Sequence, residues 1–342
     1  MERMTLGLDI AKRTLEAALW VDGHGVSLGT FDNTVAGYEA VRQAVSAQVG
    51  ADRLTDLPVV LEPSGGYEWG VALWAHQQVG WSVSQPNPRH VRDWARAQGR
   101  RAKTDRQDAL LLAHYGAQVQ PAVWHPLPSE VGELEQLLRR RDEVAGLVHA
   151  ERNRQQQVSA RAGLPGMPAA VGASVGRVVR ALEEELAELE RQIEAHLRAH
   201  PHLDHLRARL LTVPGIGARN AVPLLVLLFR WHVLTDGHGS AKGLTAYAGL
   251  DPQPYQSGTS VRRPATISRQ GERLARSRLY MGALGALRGH NPVRDFYDRL
   301  VGRGKAKKVA LVAAARKILV WAWAVFHSDT PFDPARLAPL AA

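Results

Sequence analysis

Four acidic residues occupy positions where a metal-dependent reaction on a phosphodiester could use them. Asp9 lies at the end of the β-rich run TLGLDI, and Glu62 follows the apolar run LPVVL. Asp105 and Asp108 are three residues apart in TDRQDALLLAHYG, which predicts both carboxylates on one face of a helix capped by Thr104. Carboxylate oxygens suit Mg²⁺ or Mn²⁺, and two such ions can clamp the attacking and leaving oxygens of a phosphodiester. The pattern therefore indicates nuclease or transposase chemistry.

Taken one at a time, these acids also fit a structural role, because strand-end Asp residues are commonly turn residues and exposed Asp pairs are commonly solvated. The basic residues around Asp105 and Asp108 favour the functional interpretation, because Asp93 and Asp105 are the only acidic residues among them. They would attract phosphate next to the metal candidates. They are Arg89, Arg92, Arg96, Arg100, Arg101, Lys103 and Arg106. We predict that Arg100, Arg101 and Lys103 contact nucleic acid.

The segment LLTVPGIGARNA, residues 210–221, has the form of a helix-hairpin-helix. Gly215 and Gly217 would permit a tight turn whose backbone N–H groups face a phosphate at a helix N-terminus. A simple corner between two helices would look the same in sequence. In some proteins this element serves only as scaffold.

The positive charge of the chain is concentrated in one segment. Residues 259–317 hold 15 Lys and Arg against 3 Asp and Glu, whereas the remainder holds 28 against 30. Such a local excess indicates a polyanion partner, most often nucleic acid. The residues predicted to bind it are Arg262, Arg263, Arg269, Arg273, Lys305, Lys307 and Lys308. With no Cys in the chain, disulfides, thiolate zinc sites and Cys nucleophiles are excluded.

The elements that must position these residues begin with a mixed α/β pattern. Short strands are predicted at 5–10, 15–21, 26–31, 57–61 and 82–85, with helices from Asn33-Thr34 to about Gln48 and over 69–77. Asn33 and Thr34 are candidate caps of the first helix, whose buried face holds Tyr38, Val41 and Val45. No run of about 18 apolar residues is present, so no membrane span is expected.

The rest of the chain reads as helical. Val178, Leu182, Leu186, Leu189, Ile193 and Leu197 form a helical apolar stripe. Two long antiparallel helices fit it, as a projecting coiled-coil arm or as ordinary packing within one domain. A closing helix is predicted over 304–327. We expect three domains: 1–125 with the acids, 126–200 as the arm, and an all-α 201–342.

The acidic motifs resemble a known family. Asp9 in GLDIAKRT, Glu62 in VVLEPSGGYEW, and Asp105 and Asp108 in RAKTDRQDA are similar to the DEDD pattern of the Piv/MooV DNA invertases and the insertion-sequence one-ten transposases. The resemblance implies that residues 1–125 form a RuvC-like, ribonuclease H-type domain whose four acids hold Mg²⁺ or Mn²⁺.

A second resemblance lies in residues 245–280, which are similar to the C-terminal transposase domain of that family. The shared strings are AGL-P, QSG and ISRQG, and the nucleophilic Ser of the family maps onto Ser257. Arg269 stands where the family usually has Lys. Without the family, a Ser-Gly pair is commonly a plain turn, and Ser260 and Ser268 remain rivals. Ser268 is also a candidate cap for a helix beginning near Gly271.

The resemblance implies a transposase that is also a site-specific recombinase. It implies a 5′-phosphoserine intermediate, donor and target DNA chosen by a structured non-coding guide RNA, and a composite site in a dimer or tetramer. The expected location is the bacterial cytoplasm, at the nucleoid. Two other interpretations stay open: a junction-resolvase-type metal nuclease that uses water, and an inactive nucleic-acid-binding scaffold.

Overall fold

The computed structural model of the chain describes residues 4–99, 105–257 and 261–336. The side chains of residues 51, 105, 106, 254–257, 261–265 and 336 are outside that description. The chain forms two compact units, Met1–Pro126 and Leu127–Ala342.

Unit 1 is built on a five-stranded mixed sheet. Its elements are β1 Thr5–Ile10, β2 Thr14–Val21, β3 His24–Asp32, α1 Val35–Val49, β4 Pro58–Leu61, α2 Trp69–Leu73, a π-helical segment Trp74–Val79, β5 Ser82–Ser84, α3 Pro88–Ala97 and α4 Asp105–Val119. The strand order is β3-β2-β1-β4-β5. β1 pairs antiparallel with β2 and parallel with β4, so β1 lies at the centre of the sheet. The mixed α/β order predicted from sequence is confirmed.

The strands β1 and β4 are buried because both faces of the sheet are covered. On one face, Leu6 and Leu8 of β1 belong to the same apolar cluster as Tyr38, Val41 and Val45 of α1. Each fully buried side chain of this kind contributes about 1.5–3 kcal/mol. Thr34 is the α1 cap, accepting a hydrogen bond from the Gly37 amide at 3.3 Å. The predicted helix and its buried face are therefore confirmed, with Thr34 rather than Asn33 as the cap.

Unit 2 is mostly helical. Its elements are α5 Ser129–Ser159, α6 Ala169–Ala199, α7 Pro201–Leu210, α8 Ala218–Leu234, α9 Ala241–Tyr247, β6 Pro252–Ser257, β7 Val261–Ile267, α10 Arg273–Ala286, α11 Pro292–Gly302 and α12 Lys307–Ser328. β6 and β7 form an antiparallel two-stranded sheet. The expectation of an all-α C-terminal region is therefore wrong at this segment, which carries Ser257.

The helices α5 and α6 pack side by side in opposite directions. Arg152 pairs with Glu183 at 2.6 Å near one end, and the His196 ring contacts the Glu130 carbonyl at 2.7 Å near the other. Between these points Val144 and Val148 of α5 pack on Leu189. The predicted pair of long antiparallel helices is present, within unit 2.

The helix α12 is the central apolar helix of unit 2. Its buried residues include Leu311, Ile318, Leu319 and Trp321. Among the described helices it alone is long and apolar enough to cross a membrane, a property that core helices of soluble proteins share. More than half of its apolar stretch is buried inside the protein, as in a core helix.

Candidate active site

Asp9 and Glu62 lie side by side at one edge of the sheet in unit 1. β1 and β4 run parallel with Leu8 opposite Leu61, and Asp9 and Glu62 each come next along the chain. Neighbouring strands are about 4.8 Å apart, so continuing the register by one step sets the two acids beside each other. Two residues separated by more than fifty positions thus meet because two carboxyl strand ends share an edge.

The two acids face the helix α4. A Cβ at Gly7 would lie 2.1 Å from the Ala109 carbonyl oxygen, and one at Gly116 would lie 2.4 Å from Thr5 Cγ2 and 2.6 Å from Val60 Cγ2. Side chains alternate along a strand, so Asp9 shares the face of Thr5 and Gly7, as Glu62 shares that of Val60. Asp9 and Glu62 therefore project toward the side of the sheet that α4 covers.

The direction of α4 brings its acids to the same place. Ala109 lies over Gly7 and Gly116 over Thr5, so the helix runs opposite to β1 and its N-terminal turn lies at the carboxyl end of the strand. Asp108 directly precedes Ala109. Asp105 begins the helix four residues before Ala109, which is about 6 Å along the helix axis at 1.5 Å per residue. Three separate elements thus place the backbone positions of the four acids near one edge of the sheet.

The donor chemistry of this edge suits a hard divalent cation, since every candidate ligand is a carboxylate. Among the side chains that the structure describes, no group of three His, Asp or Glu residues is arranged to hold a metal ion. The side chain of Asp105 is outside that set. The sheet and α4 thus gather the right donors, while the coordination itself stays a prediction.

Two further carboxylates at this edge were missed by the sequence analysis. Glu16 pairs with Asp9 in the β1–β2 register, and its Oε2 accepts a hydrogen bond from Thr30 Oγ1 at 2.6 Å. Glu68 is 6% exposed and its Oε2 accepts from the amides of Ser64 at 2.9 Å and Gly66 at 2.8 Å. Glu68 thereby shapes the loop after Glu62. Only the strand register and the loop contacts identify them.

Ser257 ends the strand β6 in unit 2, opposite Val261 of β7. Arg262 and Arg263 lie across the hairpin, opposite Gln256 and Tyr255. The backbone therefore sets the predicted nucleophile and both predicted phosphate ligands in one short hairpin. The side chains of these three residues, and the whole of Ser260, are outside the described residues, as are Arg100, Arg101 and Lys103.

The base of this hairpin is closed by direct backbone contact. A Cβ at Gly249 would lie 2.6 Å from the Gly271 amide nitrogen, and one at Gly271 would lie 2.1 Å from the Tyr247 carbonyl oxygen. Arg276 Nη1 donates to the carbonyls of Gly271 at 2.5 Å and Ala248 at 3.3 Å. Burial lowers the pKa of Arg276, and the nearby Arg269 and Arg273 lower it further. The segments AGL and ISRQG therefore pack directly against each other at the base of the hairpin, and we call this contact the clasp.

Ser268 belongs to this clasp. Its hydroxyl donates to Asp251 Oδ1, and its amide donates to the Asp251 carbonyl at 3.0 Å. The helix α10 begins at Arg273 with Glu272 as its cap residue. The predicted capping role of Ser268 is therefore wrong, because the Asp251 backbone and carboxylate take both of its polar groups.

Two segments of this chain match transposase family models. The DEDD transposase model, described as "Transposase", matches residues 6–159. A model described as "Transposase IS116/IS110/IS902 family" matches residues 207–298. The "Pilin gene-inverting protein" of Moraxella lacunata is 32% identical over 338 residues, which cover 97% of this chain and 98% of that protein.

The chain belongs to the IS110 family of transposases. The "Insertion element IS110 uncharacterized 43.6 kDa protein" of Streptomyces coelicolor is also 32% identical, over 164 residues that cover 47% of this chain and 37% of that protein. The predicted family is thus confirmed, and the protein is a DNA recombinase of the transposase type.

In this transposase the turn between α7 and α8 packs against the core. A Cβ at Gly215 would lie 2.5 Å from Ile318 Cδ1, and one at Gly282 would lie 2.2 Å from the Gly215 carbonyl oxygen. Gly217, by contrast, has open space around its Cβ position and precedes α8 with no side-chain cap. Gly215 is therefore required for packing, and Gly217 lies at the exposed helix N-terminus where a phosphate could approach.

The predicted basic residues of the transposase that the structure describes are exposed. Arg269, Arg273, Lys305, Lys307 and Lys308 are all exposed, and none forms an ion pair with another described residue. Lys307 and Lys308 begin α12, where the helix dipole disfavours cations. A bound polyanion would offset the repulsion between these cations and their unfavourable interaction with the helix dipole.

The basic residues of α5 differ, because acids neutralise many of them. Arg140 pairs with Glu143 at 3.2 Å, and Arg154 pairs with Glu151 at 2.6 Å. In unit 2, acids therefore neutralise many basic residues of α5, whereas the five exposed basic residues in the segment 259–317 have no such ion pairs among the described residues.

Proposed function

We propose that this transposase cuts and rejoins DNA through Ser257, assisted by divalent metal at the four acids. The observation that carries the proposal is the convergence of Asp9, Glu62 and α4 at one edge of the sheet in a chain whose family is established. We also infer that unit 1 is RuvC-like, since a central strand and its parallel neighbour present acids at one end, beneath a helix carrying two more.

The serine step follows from ordinary phosphoryl chemistry. Ser257 Oγ attacks the phosphorus, an O–P bond forms, and the bond from phosphorus to the 3′ oxygen breaks. The hydroxyl proton passes to a carboxylate of the acidic edge or to solvent, and the 3′ oxygen leaves as a hydroxyl after it gains a proton. The product is a 5′-phosphoserine, whose bond energy permits rejoining without ATP.

The residues around each group have separate tasks. Asp9, Glu62, Asp105 and Asp108 would hold Mg²⁺ or Mn²⁺, which supplies charge neutralisation at the attacking and leaving oxygens. Arg262 and Arg263 would hold the phosphate and stabilise its charge in the transition state. A composite site from different subunits of a dimer or tetramer would bring the two sets together.

We further propose that a structured RNA selects the donor and target sites. The unpaired basic residues of unit 2 suit contacts with a nucleic-acid backbone, which carry little sequence information. Base pairing by a guide would supply the missing sequence reading. Purified transposase that recombines its element ends efficiently after exhaustive ribonuclease treatment would refute the RNA requirement.

Trapping of a covalent intermediate tests the serine mechanism. A cleavage reaction quenched in denaturant should leave DNA attached to Ser257, and Ser257→Ala should remove both cleavage and adduct while nucleic-acid binding stays near parental. Ser277→Ala, which changes an exposed serine of α10 outside the hairpin, serves as the matched control and should still form the adduct. Cleavage by Ser257→Ala, with no adduct in the parent, would establish the alternative metal nuclease in which water attacks.

A further inference from the structure

We propose that Asn33 is a positioning residue that sets the spacing of the two acid-bearing loops in unit 1. The side-chain nitrogen Nδ2 donates to the Ala11 carbonyl at 3.1 Å and to the Tyr67 carbonyl at 3.1 Å. Ala11 lies two residues after Asp9, and Tyr67 lies five residues after Glu62. One amide group therefore joins the loops that leave β1 and β4.

The orientation of this amide is determined by its partners. Within an Asn side chain only the amide nitrogen can donate to two carbonyl oxygens, because the amide oxygen only accepts. On the other side, Tyr38 Oη donates to Asn33 Oδ1 at 2.7 Å. Tyr38 is 5% exposed, and burial raises the pKa of its phenol, so the hydroxyl stays protonated. Both ends of the Asn33 side chain are thus held.

The backbone of Asn33 adds a further contact to the loop after Asp9. Its amide donates to the Arg13 carbonyl at 2.9 Å, and the Ala11 amide donates to the Thr14 carbonyl at 2.9 Å. The loop after Glu62 is held internally by Glu68, as described above. Each loop is therefore held by hydrogen bonds of its own, and the Asn33 amide joins the two loops.

This link lies where the regular strand pairing stops. The β1–β4 register ends at Leu8 and Leu61, one residue before the two acids. Beyond that point, backbone ladder bonds no longer set the distance between the loops. A small octahedral cation needs its oxygen ligands at about 2.0–2.1 Å, so its affinity depends on the distance between the two loops that carry those ligands. The inference rests on the proposed metal role of the acids.

The experiment compares Asn33→Ala and Asn33→Asp in the full-length chain. Neither variant can donate to Ala11 and Tyr67, and the pair separates the effect of the lost link from that of an added charge. We expect Mn²⁺ binding, measured by electron paramagnetic resonance, to weaken in Asn33→Ala by about tenfold or more, as for other groups that orient metal ligands. The half-saturating Mg²⁺ concentration for DNA cleavage should rise by the same factor.

A general loss of stability would behave differently. It would lower activity at every Mg²⁺ concentration without moving the half-saturation point, whereas saturating Mg²⁺ should restore Asn33→Ala and Asn33→Asp. Tyr38→Phe keeps the amide but removes its anchor, and we expect a smaller shift in the same direction.

The matched control is Thr34→Ala. This neighbour caps α1 through Gly37 and makes no side-chain hydrogen bond to either acid-bearing loop among the described residues. It should destabilise the helix and leave Mn²⁺ affinity at the parental value. Equal metal affinities in the parent and Asn33→Ala, with binding abolished by Asp9→Asn, would overturn the role of Asn33 alone. A parent that binds no Mn²⁺ and cuts DNA in a chelator would overturn both the metal function and this inference.

Discussion

The sheet edge of unit 1 that carries the four acids and the β6–β7 hairpin of unit 2 that carries Ser257 are assembled in different ways. The acids come from β1, β4 and α4, which are far apart in sequence and meet through strand register and a helix crossing at Gly7. The hairpin groups come from one continuous stretch, residues 247–276, closed by backbone contact between Gly249 and Gly271. The first site depends on the whole fold of its unit, and the second depends on one local clasp.

This difference suits the two chemical tasks. Metal ligands must be held at fixed spacing, which packing on both faces of a sheet provides. A serine nucleophile must reach a phosphate, and a two-stranded hairpin anchored only at its base is marginally stable by itself. The clasp of Arg276, Asp251 and Ser268 therefore determines where the hairpin begins, while the sheet determines where the acids lie.

The largest effect is expected from the acids themselves. Asp9→Asn and Asp108→Asn should each reduce recombination below detection while the fold stays intact, because loss of mutual repulsion does not destabilise the metal-free protein. Recombination assays in Mg²⁺ and thermal melts test both statements. Glu39→Gln, which changes a half-buried acid of α1 that pairs with Arg42, is the control. Parental recombination by Asp9→Asn would refute the DEDD assignment.

The second-largest effect is expected where α4 crosses β1. It shows whether the position of the acids depends on that crossing. Gly7→Ala places a methyl group against the Ala109 carbonyl, so it should cost about 1–3 kcal/mol of stability and impair recombination without changing an acid. Gly146→Ala in α5 has open space around it and should instead stabilise by about 0.5–1 kcal/mol. Chemical denaturation measures both. An unaffected Gly7→Ala would contradict the close contact.

A smaller effect is expected from the clasp. Arg276→Met leaves two backbone carbonyls without their donor, which should cost about 1–3 kcal/mol. Misplacement of the hairpin should slow formation of the covalent adduct by about tenfold, with DNA affinity retained. Arg288→Met removes an exposed arginine beyond α10 and is the control. Adduct formation at the parental rate would show that the hairpin does not need this anchor.

The smallest effect on the chemical steps is expected from Lys305, Lys307 and Lys308. Their joint replacement by Ala should weaken binding to many sequences alike and reduce the log–log salt slope by up to about 2.7, at about 0.9 per phosphate contact. Binding measured across a salt series tests this. Joint replacement of the ion-paired Arg140, Arg152 and Arg154 removes the same charge and should change the slope less. Equal slopes for parent and triple Lys variant would exclude a phosphate role.

Much of the local structure was predictable from residue patterns. The strand Thr5–Ile10 and the helix face of Tyr38, Val41 and Val45 follow from periodicity, which is a local property. The family motifs likewise lie in short strings, so the acids and Ser257 could be named before any fold was known. The β6–β7 hairpin was missed because its Gly, Pro and Arg residues give no strand signal by themselves.

What the sequence alone determined was the set of candidate reactive residues and, for the acids of unit 1, the elements that carry them. Only the tertiary structure decided which of them meet. Asp9 and Glu62 become neighbours through a parallel register, Asn33 links two loops instead of capping a helix, and Ser268 binds Asp251 instead of capping α10. The physical reason is that each of these contacts joins separate elements or loops and forms only when they pack together, whereas the periodicity of a single element carries no signal of it.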